Sequence, residues 1–281
     1  MNALAPLAER MRPKNLEAYI GQEHLLADNA PLTRALEAGI IPSMIFWGPP
    51  GVGKTTLAYL VAEKLKKTIH TLSAISSGVK DVREVIAKVQ NAGMFQESGT
   101  ILFIDEIHRF SKSQQDSLLG AVEKGVVTLI GATTENPSFE VISALLSRCH
   151  VYTLKDHSKK DLIALLQRAI AQDSVLAQRK VTFKEYDSLL AISGGDARKI
   201  LNVFEIIISA FPENEVLKSR INWFKTMPNN PWRATTRMEI NTTTLYLLSL
   251  RPFGVAMLML LFIGWHEWLK EEKTQSLLLD V

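Results

Sequence analysis

The most informative stretch of the chain is Gly48-Pro49-Pro50-Gly51-Val52-Gly53-Lys54-Thr55. It has the pattern G-x-x-x-x-G-K-[ST], and it stands between a buried strand predicted over residues 43–47 and a helix predicted over residues 55–66. Glycines allow backbone N–H groups to surround phosphate oxygens, and a helix N-terminus adds partial positive charge. We therefore predict that residues 48–56, Thr56 included, bind the phosphates of a nucleotide such as ATP.

Four side chains are predicted to act on that nucleotide. Lys54 is expected to reach its β and γ phosphates, and Thr55 offers a hydroxyl to Mg²⁺. Asp105 and Glu106 follow a second buried strand, residues 100–104, where Asp105 would hold the Mg²⁺ shell and Glu106 would polarise the attacking water. A carboxylate in that role favours ATP hydrolysis over nucleotide binding alone. The alternative is that the two carboxylates only cap the strand end.

A third strand, predicted over residues 126–130, leads into a polar cluster that contains Thr133 and Thr134. A hydroxyl at this strand end could donate a hydrogen bond to the γ phosphate, although a simple turn would need no function. The spacing does not decide between the two threonines.

Two arginines extend the candidate site. Arg148 ends the predicted α/β region and could stabilise transition-state charge on the nucleotide of a neighbouring subunit. Arg198 opens a later helix and could contact the γ phosphate of its own subunit. Each could instead form a surface salt bridge.

The order of elements predicts an α/β fold with a parallel sheet covered by helices on both faces, because strands alternate with helices over residues 79–89 and 113–124. After residue 155 only helical periodicity remains. We predict an α/β nucleotide-binding domain over residues 1–155, a small helical lid over residues 156–215 and an atypical tail over residues 216–281. The lid's helices are predicted over residues 161–170, 183–192 and 196–210.

Composition bounds the function. The 281 residues are 47% hydrophobic and 22% charged, as in a globular protein. One cysteine, Cys149, excludes an internal disulfide and a cysteine metal cluster. No secretory signal is evident and the apolar run 253–264 is too short to span a bilayer, so we expect a cytosolic protein without a membrane partner.

Any contact with DNA must come from a local patch. Residues 1–215 hold equal numbers of basic and acidic side chains, so the net charge of +3 arises only after residue 215. Lys80 and Arg83 open the second helix beside a Ser-Ser-Gly turn and could hold backbone phosphate. They could equally be a solvated helix start.

These motifs, in this order, resemble the AAA+ ATPases of the clamp-loader branch over residues 6–215. Arg12-Pro13, Tyr19-Ile-Gly-Gln-Glu-His-Leu25, Ser77-Gly-Val-Lys-Asp-Val-Arg83, Phe103-Ile-Asp-Glu-Ile-His-Arg-Phe110 and Gly131-Ala-Thr-Thr-Glu-Asn-Pro-Ser-Phe139 are most similar to the family of replication-associated recombination proteins A.

The resemblance implies roles that spacing alone does not. The residues around Ile20, Gly21 and Gln22 would line the adenine pocket, Arg148 would be the arginine finger and Arg198 the second sensor. It implies a DNA-dependent ATPase of the bacterial cytosol and nucleoid that acts at stalled or gapped replication forks, on fork or single-strand/double-strand junction DNA. Single-stranded DNA-binding protein would be a partner, and the family's oligomer is a tetramer.

The chain departs from that family after about residue 215, where the family continues into a helical tetramerisation domain. Codons compatible with residues 261–281 permit, in a shifted frame, a continuous run that resembles this domain. We therefore interpret the tail as a frameshift product, and sequencing the gene across codons 210–235 tests this. The alternatives for the whole chain are a branch-migration DNA motor and an ATP-binding fragment without turnover; a protein-unfolding ATPase is disfavoured because no pore loop is evident.

Overall fold

The computed structural model describes residues 5–39, 41–74, 77–92, 99–177 and 186–209. All of them belong to one compact unit, Met1–Asn222. The predicted tail, with its proposed frameshift and its apolar run, lies outside the described residues. Among the residues that are described, no helix is long and apolar enough to cross a membrane.

The strands and helices follow the predicted alternation. The strands are β1 (Met44–Trp47), β2 (Thr68–Ser73), β3 (Thr100–Asp105), β4 (Thr128–Thr133) and β5 (His150–Thr153). The helices are α1 (Leu7–Arg10), α2 (Glu23–Leu26), α3 (Pro31–Glu37), α4 (Lys54–Lys64), α5 (Val79–Ala92), α6 (Lys112–Glu123), α7 (Pro137–Glu140), α8 (Ser143–Leu146), α9 (Lys159–Gln172), α10 (Asp187–Ser193) and α11 (Ala197–Ser209).

The five strands form one parallel sheet in the order β2-β3-β4-β1-β5. This confirms the predicted fold class. The sequence analysis did not predict β2 and β5, which are the two edge strands. Polar residues interrupt the apolar residues in both, so neither has the continuous apolar run that made the three central strands recognisable.

Helices cover both faces of the sheet because successive strand residues point to opposite sides. On one face Phe46, Phe103 and Ile130 pack with residues of α3 and α4. On the other face Ile45 and Leu102 pack with residues of α5, α6 and α8. The three central strands are therefore buried on both sides, as their uninterrupted apolar sequence requires.

After Thr153 the described chain contains only helices, of which α9 and α10 both contact α11. The predicted boundary near residue 155, between an α/β domain and a lid, stays a prediction. The short first helix, α1, contacts α11. Residues from the start of the chain thus lie against the helices that follow the sheet.

Arg10 fastens this first helix through a buried ion-pair cluster. Its guanidinium lies 2.6 Å from the Asp173 carboxylate and 2.9 Å from the Glu205 carboxylate. The Arg10 and Asp173 side chains are only 5% and 3% exposed, and Glu205 also accepts the backbone N–H of Leu7. Removing one partner would leave a buried charge uncompensated, which costs far more than losing a surface pair.

Replacing Arg10 by Met should lower the free energy of unfolding by about 3 kcal/mol, because Asp173 would remain buried without its partner. Arg12→Met is the matched control, since Arg12 pairs with Glu9 at an exposed site and should change stability by less than about 1 kcal/mol. Urea denaturation of both variants measures the difference. Equal effects would show that the Arg10 cluster is not a stabilising contact.

The effect of Arg10→Met should also depend on pH. Burial acts to raise the pKa of Asp173, but the hydrogen bonds from Arg10 and from the backbone N–H groups of Leu176 and Val175 outweigh it, and the pKa is lowered. The stability that this carboxylate contributes is present above its unfolded pKa of about 3.9 and is lost as the pH falls through its folded pKa. The gap between wild type and variant should therefore be large at neutral pH and shrink in acid.

Candidate functional site

The glycine-rich loop that follows β1 lies at the end of the sheet that is formed by the carboxyl ends of the five parallel strands. Gly48 begins it, and its backbone N–H donates to the Thr133 carbonyl at 3.2 Å, which fixes the loop beside the end of β4. Gly51 and Gly53 have φ values of +73° and +94°, which side chains with a Cβ adopt only with strain. The loop ends at Lys54, where α4 begins.

Two of these glycines also allow close approach by other segments. A Cβ added at Gly51 would lie 1.8 Å from the Asp196 carboxylate, and one at Gly53 would lie 2.5 Å from the Tyr19 hydroxyl. The Tyr19 hydroxyl donates to the Val52 carbonyl at 3.0 Å, and burial raises the pKa of this phenol. The loop is therefore held from one side by Tyr19 and from the other by the residue that precedes α11.

Lys54 is buried within the loop that it follows. Its Nζ donates to the carbonyls of Gly48 at 2.7 Å and Pro49 at 2.8 Å. Burial lowers the pKa of Lys54, while the nearby charges of Glu106 and Asp105 act to raise it. The predicted loop lysine and the predicted carboxylates thus come together at one place.

Backbone donors are available in the same loop. Within the described part of the chain, no hydrogen bond is recorded from the backbone N–H groups of residues 53–56, since the first four N–H groups of a helix lack an intrahelical partner. Thr55 and Thr56 are half-buried in this turn. A helix N-terminus with unused N–H groups suits an anion such as phosphate.

Asp105 and Glu106 stand where β3 ends, and both are half-buried. The Asp105 carbonyl accepts the backbone N–H of Ala74, which joins the ends of β2 and β3. Glu106 adopts a left-handed conformation with φ +54° and precedes the short 3-10 helix Ile107–Arg109. This turn lets the chain leave the strand while Glu106 remains at the sheet edge.

The structure separates the two threonines that spacing left equivalent. Thr133 is fully buried; its hydroxyl donates to the Glu135 carbonyl at 3.1 Å and accepts the Glu135 N–H at 3.0 Å. Thr134 is half-buried, and its hydroxyl donates to the Glu106 carboxylate at 3.4 Å. Thr134 therefore faces the catalytic candidate, whereas Thr133 belongs to the interior.

The two predicted arginines differ in whether they lie near the loop. Arg198 is exposed in the first turn of α11, and its charge acts to lower the pKa of Lys54, so it lies near the loop. Arg148 is exposed behind α8 and pairs with Glu123 at 2.7 Å. Its charge is not among those of described residues that shift the pKa of Lys54.

Ile20 and Gly21 line a cavity of about 450 Å³ together with Leu16, Tyr19, Leu26 and Asp161. A Cβ at Gly21 would lie 2.8 Å from His157, whose pKa is lowered by burial although the neighbouring carboxylates oppose this. Since Tyr19 also contacts the loop at Val52, the cavity is next to the phosphate-binding candidate. The volume is within the range of small-ligand pockets.

Lys80 and Arg83 are exposed in the first two turns of α5. Their charges are not among those of described residues that shift the pKa of Lys54. The helix start itself is capped, because the Gly78 N–H donates to the Asp81 carboxylate at 2.7 Å.

Sequence reasoning missed three residues that contact the site. Tyr19 and Asp196 press against Gly53 and Gly51, and His108 lies 3.0 Å from the Thr133 hydroxyl. A half-buried tyrosine two residues before Gly21 gives no chemical signature in sequence. His108, two residues after Glu106, is the one that a closer reading of the motif could have found.

The comparisons with known proteins agree with this geometry. Residues 44–157 match the family described as ATPase family associated with various cellular activities (AAA). With the parallel sheet and the phosphate loop, this match defines the region as an ATPase domain of the AAA family with a P-loop fold.

Relatives of the chain are similar well beyond that region. Replication-associated recombination protein A of Coxiella burnetii is 48% identical over 217 residues, which cover 76% of this chain and 49% of that protein. ATPase WRNIP1 of Dictyostelium discoideum is 47% identical over 78% of this chain and 25% of that protein. The Holliday junction branch migration motor RuvB of Thermotoga maritima is 28% identical, with a TM-score of 0.57 over 73% of this chain and 69% of that chain.

Residues 44–157 therefore form an AAA ATPase domain, and about three quarters of the chain is similar to replication-associated recombination protein A, as the resemblance predicted. The chain spans about half the length of the first of these relatives. The matched segments leave about a quarter of this chain unmatched, and the frameshift interpretation stays a prediction.

The tight contact at Gly48 generates a prediction. A Cβ there would lie 2.3 Å from the Leu154 carbonyl oxygen, so Gly48→Ala should destabilise the fold by about 2 kcal/mol through forced backbone movement. Gly120→Ala is the control: nothing lies within 4 Å of its added methyl group, and alanine in a helix should gain about 0.5–1 kcal/mol. Urea denaturation should therefore move the two variants in opposite directions, and a neutral Gly48→Ala would contradict the contact.

Proposed function

We propose that this chain binds ATP at the glycine-rich loop and hydrolyses its γ phosphate. The observation that carries the proposal is the convergence of Lys54 with Asp105 and Glu106 at the sheet edge, beside unused N–H groups at the start of α4. The loop amides and Lys54 would hold the phosphates, and Arg198 would approach the γ phosphate. The cavity at Ile20 and Gly21 would hold the adenine.

The residues also fit a magnesium ion. Thr55 and Asp105 supply hydroxyl and carboxylate oxygens, the hard ligands that Mg²⁺ prefers, from the loop and from the neighbouring strand end. When bound, the ion would neutralise charge that develops on the phosphate oxygens. Lys54 would add a second positive charge at the same side.

Glu106 is the proposed general base. Its carboxylate would orient a water molecule and take its proton while the water oxygen attacks the γ phosphorus and the bond to the β-phosphate oxygen breaks. Thr134, which already donates to this carboxylate, is the better placed of the two threonines to contact the γ phosphate. Thr133, in contrast, is fully buried.

Two substitutions separate binding from turnover. Lys54→Ala should weaken ATP binding about 100-fold, since a charged donor to phosphate is lost. Glu106→Gln should bind ATP normally but lower kcat by about 10²- to 10⁴-fold, because the amide accepts no proton. Calorimetric titration with ATP and phosphate release measure the two quantities.

Lys64→Ala and Glu140→Gln, both at exposed positions away from the loop, are the matched controls and should leave binding and kcat unchanged. Equal hydrolysis by wild type, Lys54→Ala and Glu106→Gln would refute the assignment. ATP binding without turnover in the wild type would instead favour the second reading of the chain, an ATP-binding fragment.

We further propose that the ATPase depends on DNA and acts at replication forks, with single-stranded DNA-binding protein as a partner in the bacterial nucleoid. The name of the relative from Coxiella burnetii supports a role in replication-associated recombination. Arg148 would complete the site of a second copy, in a tetramer or smaller assembly. In its own chain it forms an exposed salt bridge with Glu123, which is the alternative interpretation of this arginine. The candidate DNA contact is Lys80 with Arg83.

The DNA contact predicts a salt-sensitive effect. The double change Lys80→Ala and Arg83→Ala should weaken forked-DNA binding about 10-fold and reduce the salt slope by about 2, with DNA-free ATP turnover unchanged. Lys88→Ala on the same helix is the control, because Lys88 pairs with Glu84. Fluorescence anisotropy over a salt series measures both; an unchanged slope would exclude this patch.

The similarity to RuvB keeps a branch-migration motor as the second candidate function. Comparing stimulation of ATP hydrolysis by gapped forks and by four-way junctions separates the two. Stronger stimulation by the fork supports the first function, and stronger stimulation by the junction supports the second.

A further inference from the structure

His108 occupies the gap between two strand ends that carry the proposed chemistry. It lies in the short 3-10 helix Ile107–Arg109 after β3, and its side chain is 13% exposed. Its Nδ1 is 3.0 Å from the Thr133 hydroxyl and 3.3 Å from the Glu106 carboxylate. One ring nitrogen thus faces both the proposed base and the interior of β4.

The neighbours of Nδ1 indicate where its hydrogen lies. A hydroxyl has one proton and two lone pairs. The Thr133 hydroxyl can donate to the Glu135 carbonyl at 3.1 Å, and it accepts the Glu135 N–H at 3.0 Å. With the proton directed to that carbonyl, a lone pair remains for His108. The Glu106 carboxylate, which also faces Nδ1, can only accept. Both neighbours therefore favour a hydrogen on Nδ1 of the neutral ring.

The Glu106 carboxylate also lies next to Nδ1. Its Oε2 atom is in close contact with His108 Nδ1, at 3.3 Å, and accepts a hydrogen bond from the Thr134 hydroxyl. Two contacts at one carboxylate oxygen restrict rotation of the carboxylate. The other oxygen, Oε1, is then available to accept a proton from water.

The backbone holds His108 rigidly in this place. Ile107 is fully buried, and a methyl group at Gly131 would lie 3.2 Å from its Cδ1 atom, so the 3-10 helix is packed on β4. Glu106 has φ +54°, a conformation that costs a non-glycine residue about 1 kcal/mol or more. This turn brings the side chains at positions 106 and 108 side by side.

We propose that His108 is a positioning residue, which uses one Nδ1–H shared between Thr133 and Glu106 to hold the Glu106 carboxylate in register with the end of β4. The inference rests on the proposed function of Glu106 as the base. His108 touches neither phosphate nor water in this role. It acts through Glu106, so its loss should reduce turnover and leave nucleotide binding intact.

Two substitutions distinguish a Nδ1 donor from a mere space filler. An asparagine amide can replace the donor at Nδ1, whereas a glutamine amide reaches the position of Nε2. His108→Gln should lower kcat about 10- to 100-fold with an unchanged Kd for ATP, the size expected for a misplaced catalytic group. His108→Asn should retain kcat within about threefold of wild type. His150→Gln, at an exposed position of β5, is the control and should change neither.

A second measurement needs no turnover. The imidazole ¹⁵N shifts of His108 in the nucleotide-free chain should show hydrogen on Nδ1, and this signature should weaken in Thr133→Val. Hydrogen on Nε2 in the neutral ring overturns the proposal, as does equal kcat loss in the Asn and Gln variants. Absence of ATP hydrolysis in the wild type refutes the proposed function instead, and the imidazole shifts then decide the His108 contact by themselves.

Discussion

The parallel pairing of β1, β4 and β3 is the constraint on which the candidate site depends. Because the three strands are parallel, their carboxyl ends lie at the same end of the sheet. The residues that follow each strand, which differ in type, are therefore brought together there. The Gly48 N–H to Thr133 carbonyl bond extends the β1–β4 ladder beyond the strands and ties the loop to this edge. Backbone hydrogen bonds fix these positions, so the side chains at the candidate site are not needed to hold the strand ends together.

Close contacts of glycine then join the loop to the helices after the sheet. Asp196 touches Gly51 and also accepts the Lys199 N–H at the start of α11. On the other side, Arg168 of α9 donates to the carbonyls of Met11 and Ala18, next to Tyr19, whose hydroxyl holds the loop at Val52. Contacts on two sides therefore connect the loop with α9 and with the start of α11.

Most of the sheet was predictable because central parallel strands appear in the sequence as short apolar runs. The candidate site residues could be placed beside one another because each of these strands ends next to one of them. Lys54, Asp105 and Glu106 were identified from residue type and position alone. The edge strands β2 and β5 were not, since polar residues that face solvent remove the apolar signal. The Arg10 cluster was equally hidden, because it pairs residues that are far apart in sequence.

The choice between Thr133 and Thr134 shows why the remaining detail needed coordinates. Both are threonines at one strand end, and alternation along a strand sends neighbours to opposite sides. Which side is the interior depends on the packing of Ile107 and His108, which in turn depends on the left-handed turn at Glu106. The sequence shows which residue types stand at these positions, whereas the direction of each side chain follows only from the packing. The different surroundings of the two hydroxyls therefore depend on the turn after β3 rather than on the threonines themselves.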